Sequence, residues 1–309
     1  MIPEPVAPVP EDPPTAPTAL APKAVGRPSR RWANLMPLLV LSITGLYFVA
    51  PLLTLFRYSL QNVPAFLLGR DTLFKNWSFE AFRTFFGEDQ FWSALTLSFK
   101  LAVGTAVLTL ALLIPTTVWV HLKLPKARTM VEFFTVLPYM IPPIALVAGI
   151  KLIQPHVRWF LNSNYSLIPF YVVMALPFTF RSIDAGIRAL DVRTLVDASR
   201  SLGCGWTQTL WRVLLPNLRT AIISASFLTM AVVFGEFTLA SLLIKRTLPL
   251  FQREYTSREP QAGYALNLMV LLATTLLFVL LGVLTKKRDR KHRTFAHRAA
   301  TMAPITEPT

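Results

Sequence analysis

The 309-residue sequence holds a single cysteine, Cys204, so no intrachain disulfide can form and a disulfide scaffold is excluded. Charge is also scarce. Asp, Glu, Lys and Arg make up 15% of the chain, where a soluble domain carries about 25%. So few polar side chains cannot cover a globule, which excludes an ordinary soluble enzyme. Acid is scarcer than base, with 16 Asp and Glu against 31 Lys and Arg, an excess of 15 positive charges. The four histidines, His121, His156, His292 and His297, are scattered, and no His-Glu-x-x-His or other ligand cluster occurs. No G-x-x-x-x-G-K-[ST] string is present, so the chain lacks the loop that cradles ATP phosphates. No Ser, His and Asp order suggests a nucleophilic triad.

What the chain does have is apolar length. Hydrophobic residues make up 53% of it, mean hydropathy is +0.48, and uncharged runs of 18 residues or more recur. Six runs are expected to be transmembrane helices: 32–56, 101–122 (starting nearer Ala94, with Lys100 snorkelling outward), 133–150, 159–180, 220–245 and 260–285. Barrel strands need only about ten alternating residues, so segments this long satisfy their backbone in lipid only as helices. The predicted fold class is an all-α polytopic membrane protein occupying residues 32–285 in the lipid bilayer. Residues 1–30 contain nine of the 25 prolines, and 1–31 is read as a disordered tail. The first run is too long for the apolar core of a signal peptide, and no small-residue cleavage site follows, so it is read as uncleaved.

Lys and Arg fall unevenly between these spans. Those in the N-terminal tail, the second and fourth loops and the C-terminal tail 286–309 total 20, against eight on the alternate side. The bias places both termini in the cytoplasm. It also accounts for the basic balance, so nucleic acid is not an expected partner. Prolines interrupt the spans, and Pro142 and Pro143 in the third mark either a packed bend or a mobile stretch lining a path.

The connection 181–219 is the longest cytoplasmic loop and is not linker-like. Ile183, Ile187 and Leu190 keep helical spacing. Asp191 is placed to cap a helix through Leu195, Ala198 and Leu202, and Gly203 to end it. A second short helix, about Trp206–Leu214, carries Leu210, Val213 and Leu214 on one side and is expected to stop at Pro216. Two amphipathic helices therefore meet at a Gly203-Cys204-Gly205 elbow and offer apolar residues to a partner.

Within this loop, Asp197-Ala198-Ser199, three residues, Gly203, nine residues, Val213, one residue and Leu215-Pro216 resembles the E-A-A-x3-G-x9-I-x-L-P signature of permease subunits of binding-protein-dependent ABC importers. The departures are Asp for Glu, Ser for Ala and Val for Ile. The Asp is one methylene shorter than the family's Glu, which places any ion pair of that residue in question. The resemblance covers roughly 90–285. It implies a coupling helix between spans four and five that docks in a groove of a separate ATPase subunit. Gly203 would be the pivot, Asp197, Ala198 and Ser199 would belong to the preceding helix, Gly205, Trp206 and Thr207 would enter the groove, and Leu215-Pro216 would close the motif. It further implies two ATP-binding subunits, a second permease subunit and an extracytoplasmic solute-binding protein, with ATP bound only by the partner and no cofactor on this chain.

Glu236 is the only acid inside an expected span. Such a residue either pairs with a base or freed backbone, or lines a solute path and favours a cation. The string Gly235-Glu236-Phe237-Thr238-Leu239-Ala240-Ser241 resembles the polyamine, thiamine, iron and phosphonate branch more than sugar permeases. The expected solute is therefore small and charged, polyamine first. Sugar, phosphonate, thiamine and iron are the alternatives, and a channel or scaffold without an ATPase is the remote one. The stretch 246–262 mixes Arg253, Glu254, Arg258 and Glu259 with Phe251 and Tyr255, which suits either a receptor contact or a solvated loop.

Overall fold

The computed structural model describes residues 30–61 and 77–301, with side chains over 36–61 and 77–279 and at 282. The expected N-terminal tail lies outside them except for Arg30 and Arg31, and so do residues 302–309. Every regular element among the described residues is a helix, apart from one isolated bridge between Gln61 and Trp77.

The order is α1 (Arg30–Leu60), α2 (Glu80–Phe86), α3 (Asp89–Lys123), α4 (Arg128–Val136), α5 (Pro143–Ile153), α6 (Arg158–Leu161), α7 (Leu167–Arg188), α8 (Val192–Ser201), α9 (Trp206–Gln208), α10 (Leu215–Asn217), α11 (Arg219–Gly235), α12 (Thr238–Leu242), α13 (Leu248–Arg258) and α14 (Pro260–Thr301). Among them, Met36–Leu60, Asp89–Lys123, Asn164–Arg188 and Pro260–Val279 are long and apolar enough to cross a membrane. Two further stretches qualify only as bent pairs. The helices of Pro125–Met140 meet α5 at 80°, and those of Trp206–Asn217 meet α11 at 77°.

Prolines mark an interruption in 133–150 and none occurs in 220–245, yet the helix breaks in both. In 133–150 the break falls at Ile141-Pro142, where Pro142 takes ψ 133 and caps α5 while Pro143 fills its first turn. Proline lacks the N–H and clashes with the carbonyl four residues back, so the helix restarts rather than continues. In 220–245 the helix stops at Gly235, and Glu236 turns extended, with ψ 112. At the other end, α14 runs on to Thr301, past the expected limit at Thr285.

From residue 53 onward the helices form one compact unit; residues 1–52 form the other. In the larger unit, α3, α7 and α11 pack on one another along their lengths. With 35 residues at 1.5 Å each, α3 is about 52 Å long and passes three apolar clusters in turn. Its start, at Phe91 and Ala94, packs with Phe85 of α2, Phe251 and Tyr255 of α13, and Ala265 of α14. Its middle, at Leu101 and Ala102, packs with Val147 of α5, Tyr171 of α7, and Leu239 and Ala240 of α12. Its end, at Leu113, Ile114 and Val118, packs with Ile183 and Ile187 of α7, Val192 and Val196 of α8, and Leu214 and Leu218.

Small groups let α7 and α11 approach closely, as lipid-facing bundles require in the absence of a hydrophobic drive between helices. A Cβ on Gly186 would collide with the Ala221 methyl. One level along, the buried hydroxyls of Thr179 and Thr229 lie 2.6 Å apart.

Candidate functional site

The hairpin α8–α10 follows from its capping chemistry. Asp191 accepts a hydrogen bond from the Thr194 amide at 3.3 Å and from the Thr194 hydroxyl at 2.6 Å. These bonds, the hydroxyl first, hold the Asp191 carboxyl below its usual value. Gly203 sits at φ +80, a conformation that glycine adopts without strain. The Gly203 amide donates to Arg200 O at 2.9 Å and the Cys204 amide to Ser199 O at 3.0 Å. That double closure is a Schellman motif, which satisfies carbonyls the helix end would otherwise leave bare. The elbow is therefore hydrogen-bonded backbone at its α8 side.

The structure redistributes the residues that the motif groups in sequence. Asp197 and Ala198 are exposed, whereas Ser199 is buried. The Ser199 hydroxyl donates to Val196 O at 2.8 Å and lies 2.9 Å from the buried Thr209 hydroxyl. With its only proton directed to Val196, Ser199 accepts from Thr209, and this bond ties α8 to the returning segment. The apolar face expected to meet a partner is turned the other way. Leu214 is fully buried, and Leu210 and Leu215 pack against the same cluster as Val192 and Val196. What stays exposed is Leu202 (85%), Gly203, Gly205, Trp206 (38%), Thr207 and Trp211 (66%).

Pro216 does not end the second helix after Leu214, contrary to expectation. The chain passes through a π turn over Thr209–Leu214 and continues as α10 to Asn217. The wider turn accommodates a residue that cannot donate backward, and such turns recur at functional positions. The chain then bends at Leu218 into α11.

A buried charge cluster that sequence reasoning misses lies near the base of this hairpin, at the α7 end that leads into α8. Asp184, with a side chain 3% exposed, accepts from Arg128 Nε at 2.6 Å and from an Arg128 terminal nitrogen at 2.7 Å. Arg188 approaches the second oxygen at 2.9 Å, and His121 Nε2 stands 3.2 Å from the first without hydrogen-bond alignment. The only local sign is the Asp184–Arg188 spacing of four. Arg128 is 56 positions away in sequence.

At the far end of α11, Glu236 (8% exposed) is a helix cap. Its Oε1 accepts from the Leu239 amide at 2.9 Å and its Oε2 from the Ala240 amide at 3.4 Å. The negative charge thus sits at the positive end of α12. Pro142 and Pro143 are linked to Glu236 only through the helices they begin. They start α5, whose Val147 packs against Leu239 and Ala240 of the helix that Glu236 caps. The nearby buried Lys245 donates to Leu161 O at 2.7 Å and Asn162 O at 3.2 Å.

A second feature borders this end. One face of α13, spaced Leu250, Arg253, Glu254, Ser257 and Arg258, joins Gln90, Phe237, Ser241 and Arg246 around an open hollow of about 770 Å³. Between this hollow and the hairpin lies α11, whose 17 residues span about 25 Å.

Long apolar helices, two sharply bent helix pairs and a capped hairpin between two of the bundle helices define a multi-pass membrane protein. Residues 114–290 match the binding-protein-dependent transport system inner membrane component, and the chain belongs to that family. A solved structure described as a bacterial ABC transporter involved in the import of the acidic polysaccharide alginate has the same fold. It superposes with TM-score 0.65 at 15% identity, covering 82% of this chain and 96% of that one. The sulfate transport system permease protein CysW of Synechocystis sp. is 29% identical over 171 residues, 49% of this chain and 61% of that protein. The spermidine/putrescine transport system permease protein PotB of Haemophilus influenzae is 29% identical over 136 residues, 38% and 47% of the two. The chain spans about three-fifths of the length of the sulfate permeases it matches.

Proposed function

We propose that this chain is the permease subunit of an ATP-driven importer, forming half of a solute path and driven by separate ATPase subunits. Counting the bent pair of Pro125–Met140 and α5 as one crossing, and α11 without the hairpin that precedes it as another, gives six spans with both termini cytoplasmic, in line with the excess of Lys and Arg on that side. A second permease subunit, homologous or identical, and an external solute-binding protein complete the assembly. ATP binds on the partner, and no cofactor is carried here.

The observation that carries the reading is the hairpin. Its buried Val192, Val196 and Leu214 pack on the inner ends of α3 and α7, and the Ser199–Thr209 bond holds its two arms together. Its other side leaves Leu202, Trp206 and Trp211 in the open. A rigid element with one face anchored and one face free transmits a push as a near rigid-body motion. Asp197, Ala198, Gly203, Gly205 and Thr207 lie on or beside the free face, and Leu215-Pro216 lead back into the bundle.

Co-purification tests it. Wild-type permease retains the ATPase subunit. The double variant Trp206→Ala, Trp211→Ala loses it by about tenfold or more, because central aromatic anchors dominate interface energies. An ATPase-independent channel or scaffold would retain nothing in either case.

The solute is read as small and charged. The polyamine reading draws on the likeness to the spermidine/putrescine permease and on Glu236, although that carboxylate is already committed to two backbone amides. Uptake of labelled putrescine and spermidine, with Glu236→Gln beside wild type, tests this choice. Unchanged uptake in a strain lacking the chain removes polyamine from the account.

A further inference from the structure

We propose that the hollow formed by Gln90, Ser241, Arg246, Arg253, Ser257 and Arg258 is a receiving site for a small oxyanion, a sulfate-like or carboxylate-bearing solute. Its role in transport rests on the permease reading; its ability to hold an anion does not.

The charge balance of the hollow is uneven. Three guanidinium groups and one carboxylate, Glu254, line it, leaving two positive charges in excess. Among the described residues, no carboxylate lies within 4 Å of Arg246, Arg253 or Arg258. Arginine presents a planar fork of N–H donors that matches two oxygens of an oxyanion at once, which an ammonium cannot do. The Gln90 amide adds neutral donors to the same wall, while the Ser241 and Ser257 hydroxyls spend their protons on Thr238 O at 2.9 Å and Arg253 O at 3.1 Å.

Two of the arginines are held in place before any ligand arrives. The Arg253 guanidinium lies 5.3 Å from the centroid of Phe237, and Arg258 lies 5.9 Å from that of Tyr255. Tyr255 is buried in the apolar packing of the bundle and stacked on Phe251 at 5.2 Å, and Phe237 is half-buried at the wall of the hollow. Aromatic contact fixes each fork while leaving its donors unused. Arg246 follows Lys245, whose ammonium is occupied by the Leu161 and Asn162 carbonyls, so Arg246 is the charge of that pair that faces the hollow.

Position supports a place on the solute's route. Ser241 belongs to α12, the short helix that begins where α11 breaks at Glu236. Phe237, the residue after that break, lines the hollow itself. An anion held by Arg253 therefore sits beside the interruption in the bundle, where irregular backbone is tolerated because it lines protein or a wet cavity. A cation such as a polyamine would be repelled from the same spot, so an oxyanion held here speaks against the polyamine choice, and the polyamine uptake assay decides that choice separately.

Charged thiol reagents read the local potential whatever the solute. The single native thiol is removed as Cys204→Ser, and Ser257→Cys is introduced in the purified full-length chain. The rate of an anionic methanethiosulfonate is compared with that of its trimethylammonium analogue, each normalised to a free thiol. The anionic reagent is expected to be favoured by about tenfold, the lower end of charge focusing in clefts. Arg253→Gln with Arg258→Gln brings the ratio near unity, and Glu254→Gln raises it. Sulfate, molybdate and glucuronate are then added at ionic strength matched with chloride, with no binding protein present. Slower modification with any of them assigns the site to a free oxyanion. A ratio at or below unity, or no protection by any of the three, overturns the proposal. Protection seen only with the soluble receptor also overturns it, by assigning the arginines to protein docking. None of these readouts depends on the hairpin, so loss of ATPase co-purification would sink the coupling account and leave this one standing.

Discussion

Two clusters of arginine stand at opposite ends of the bundle and have opposite arrangements. Near the hairpin, Arg128 and Arg188 close on the buried carboxylate of Asp184, with His121 beside it. At the far end, Arg246, Arg253 and Arg258 face open space with Glu254 as the one acid in the lining. The same side chain is structural in the first case, because its charge is matched inside the protein. In the second its charge is left for something else to match. A buried acid with several bases resists removal, whereas exposed unmatched bases contribute little to folding and are available for binding.

That contrast predicts a graded series of effects. Asp184→Ala leaves Arg128 and Arg188 facing each other with no anion, and should destabilise the purified protein by about 3 kcal/mol in thermal unfolding. Arg253→Gln should leave the melting midpoint nearly unchanged while altering the anion preference of the hollow. If the two variants destabilise equally, the distinction between structural and available arginine is wrong. Gly186→Val drives a side chain into Ala221 where α7 meets α11, and should destabilise by about 1–3 kcal/mol; the same change at Gly149, which has open space around it, should do so far less. Glu236→Ala removes the cap of α12 and should lower stability by about 0.5–2 kcal/mol. The smallest effect concerns Asp191. Its carboxyl is held below the usual aspartate value by the Thr194 hydroxyl and amide, so the cap is fully present above the usual range and is lost as pH falls through the lowered value. Protection of the amides at the start of α8, taken relative to their intrinsic exchange rate at each pH, should fall in acid, and Asp191→Asn should remove that pH dependence.

Local signals make much of the hairpin legible from sequence. Asp191 before an amphipathic run and Gly203 after it are capping residues whose effect extends only a few positions, and they fall where expected. The spans are legible through their length, and Pro142-Pro143 mark a break whose 80° angle depends on packing of α5 against α12 rather than on proline alone. The break at Gly235–Glu236 carries no proline, so in sequence it resembles continuous helix. Its cause is tertiary: the Glu236 carboxylate caps a new helix whose Leu239 and Ala240 fill the middle cluster. Ser199 looks equivalent to Asp197 and Ala198 because spacing alone does not tell which face is buried. Asp184 finds Arg128 across 56 residues, a separation at which one sequence has no pairing signal. The arginines of the hollow are visible as a mixed-charge loop, but the presence of Glu254 and Glu259 conceals that they have no carboxylate partner among the described residues.

The most direct test of the central claim is hydrogen exchange on the permease alone and on the complex with its ATPase subunit. The account predicts new protection in residues 201–212 on adding the ATPase, with little change along α13. Protection along α13 with none in the hairpin would contradict it.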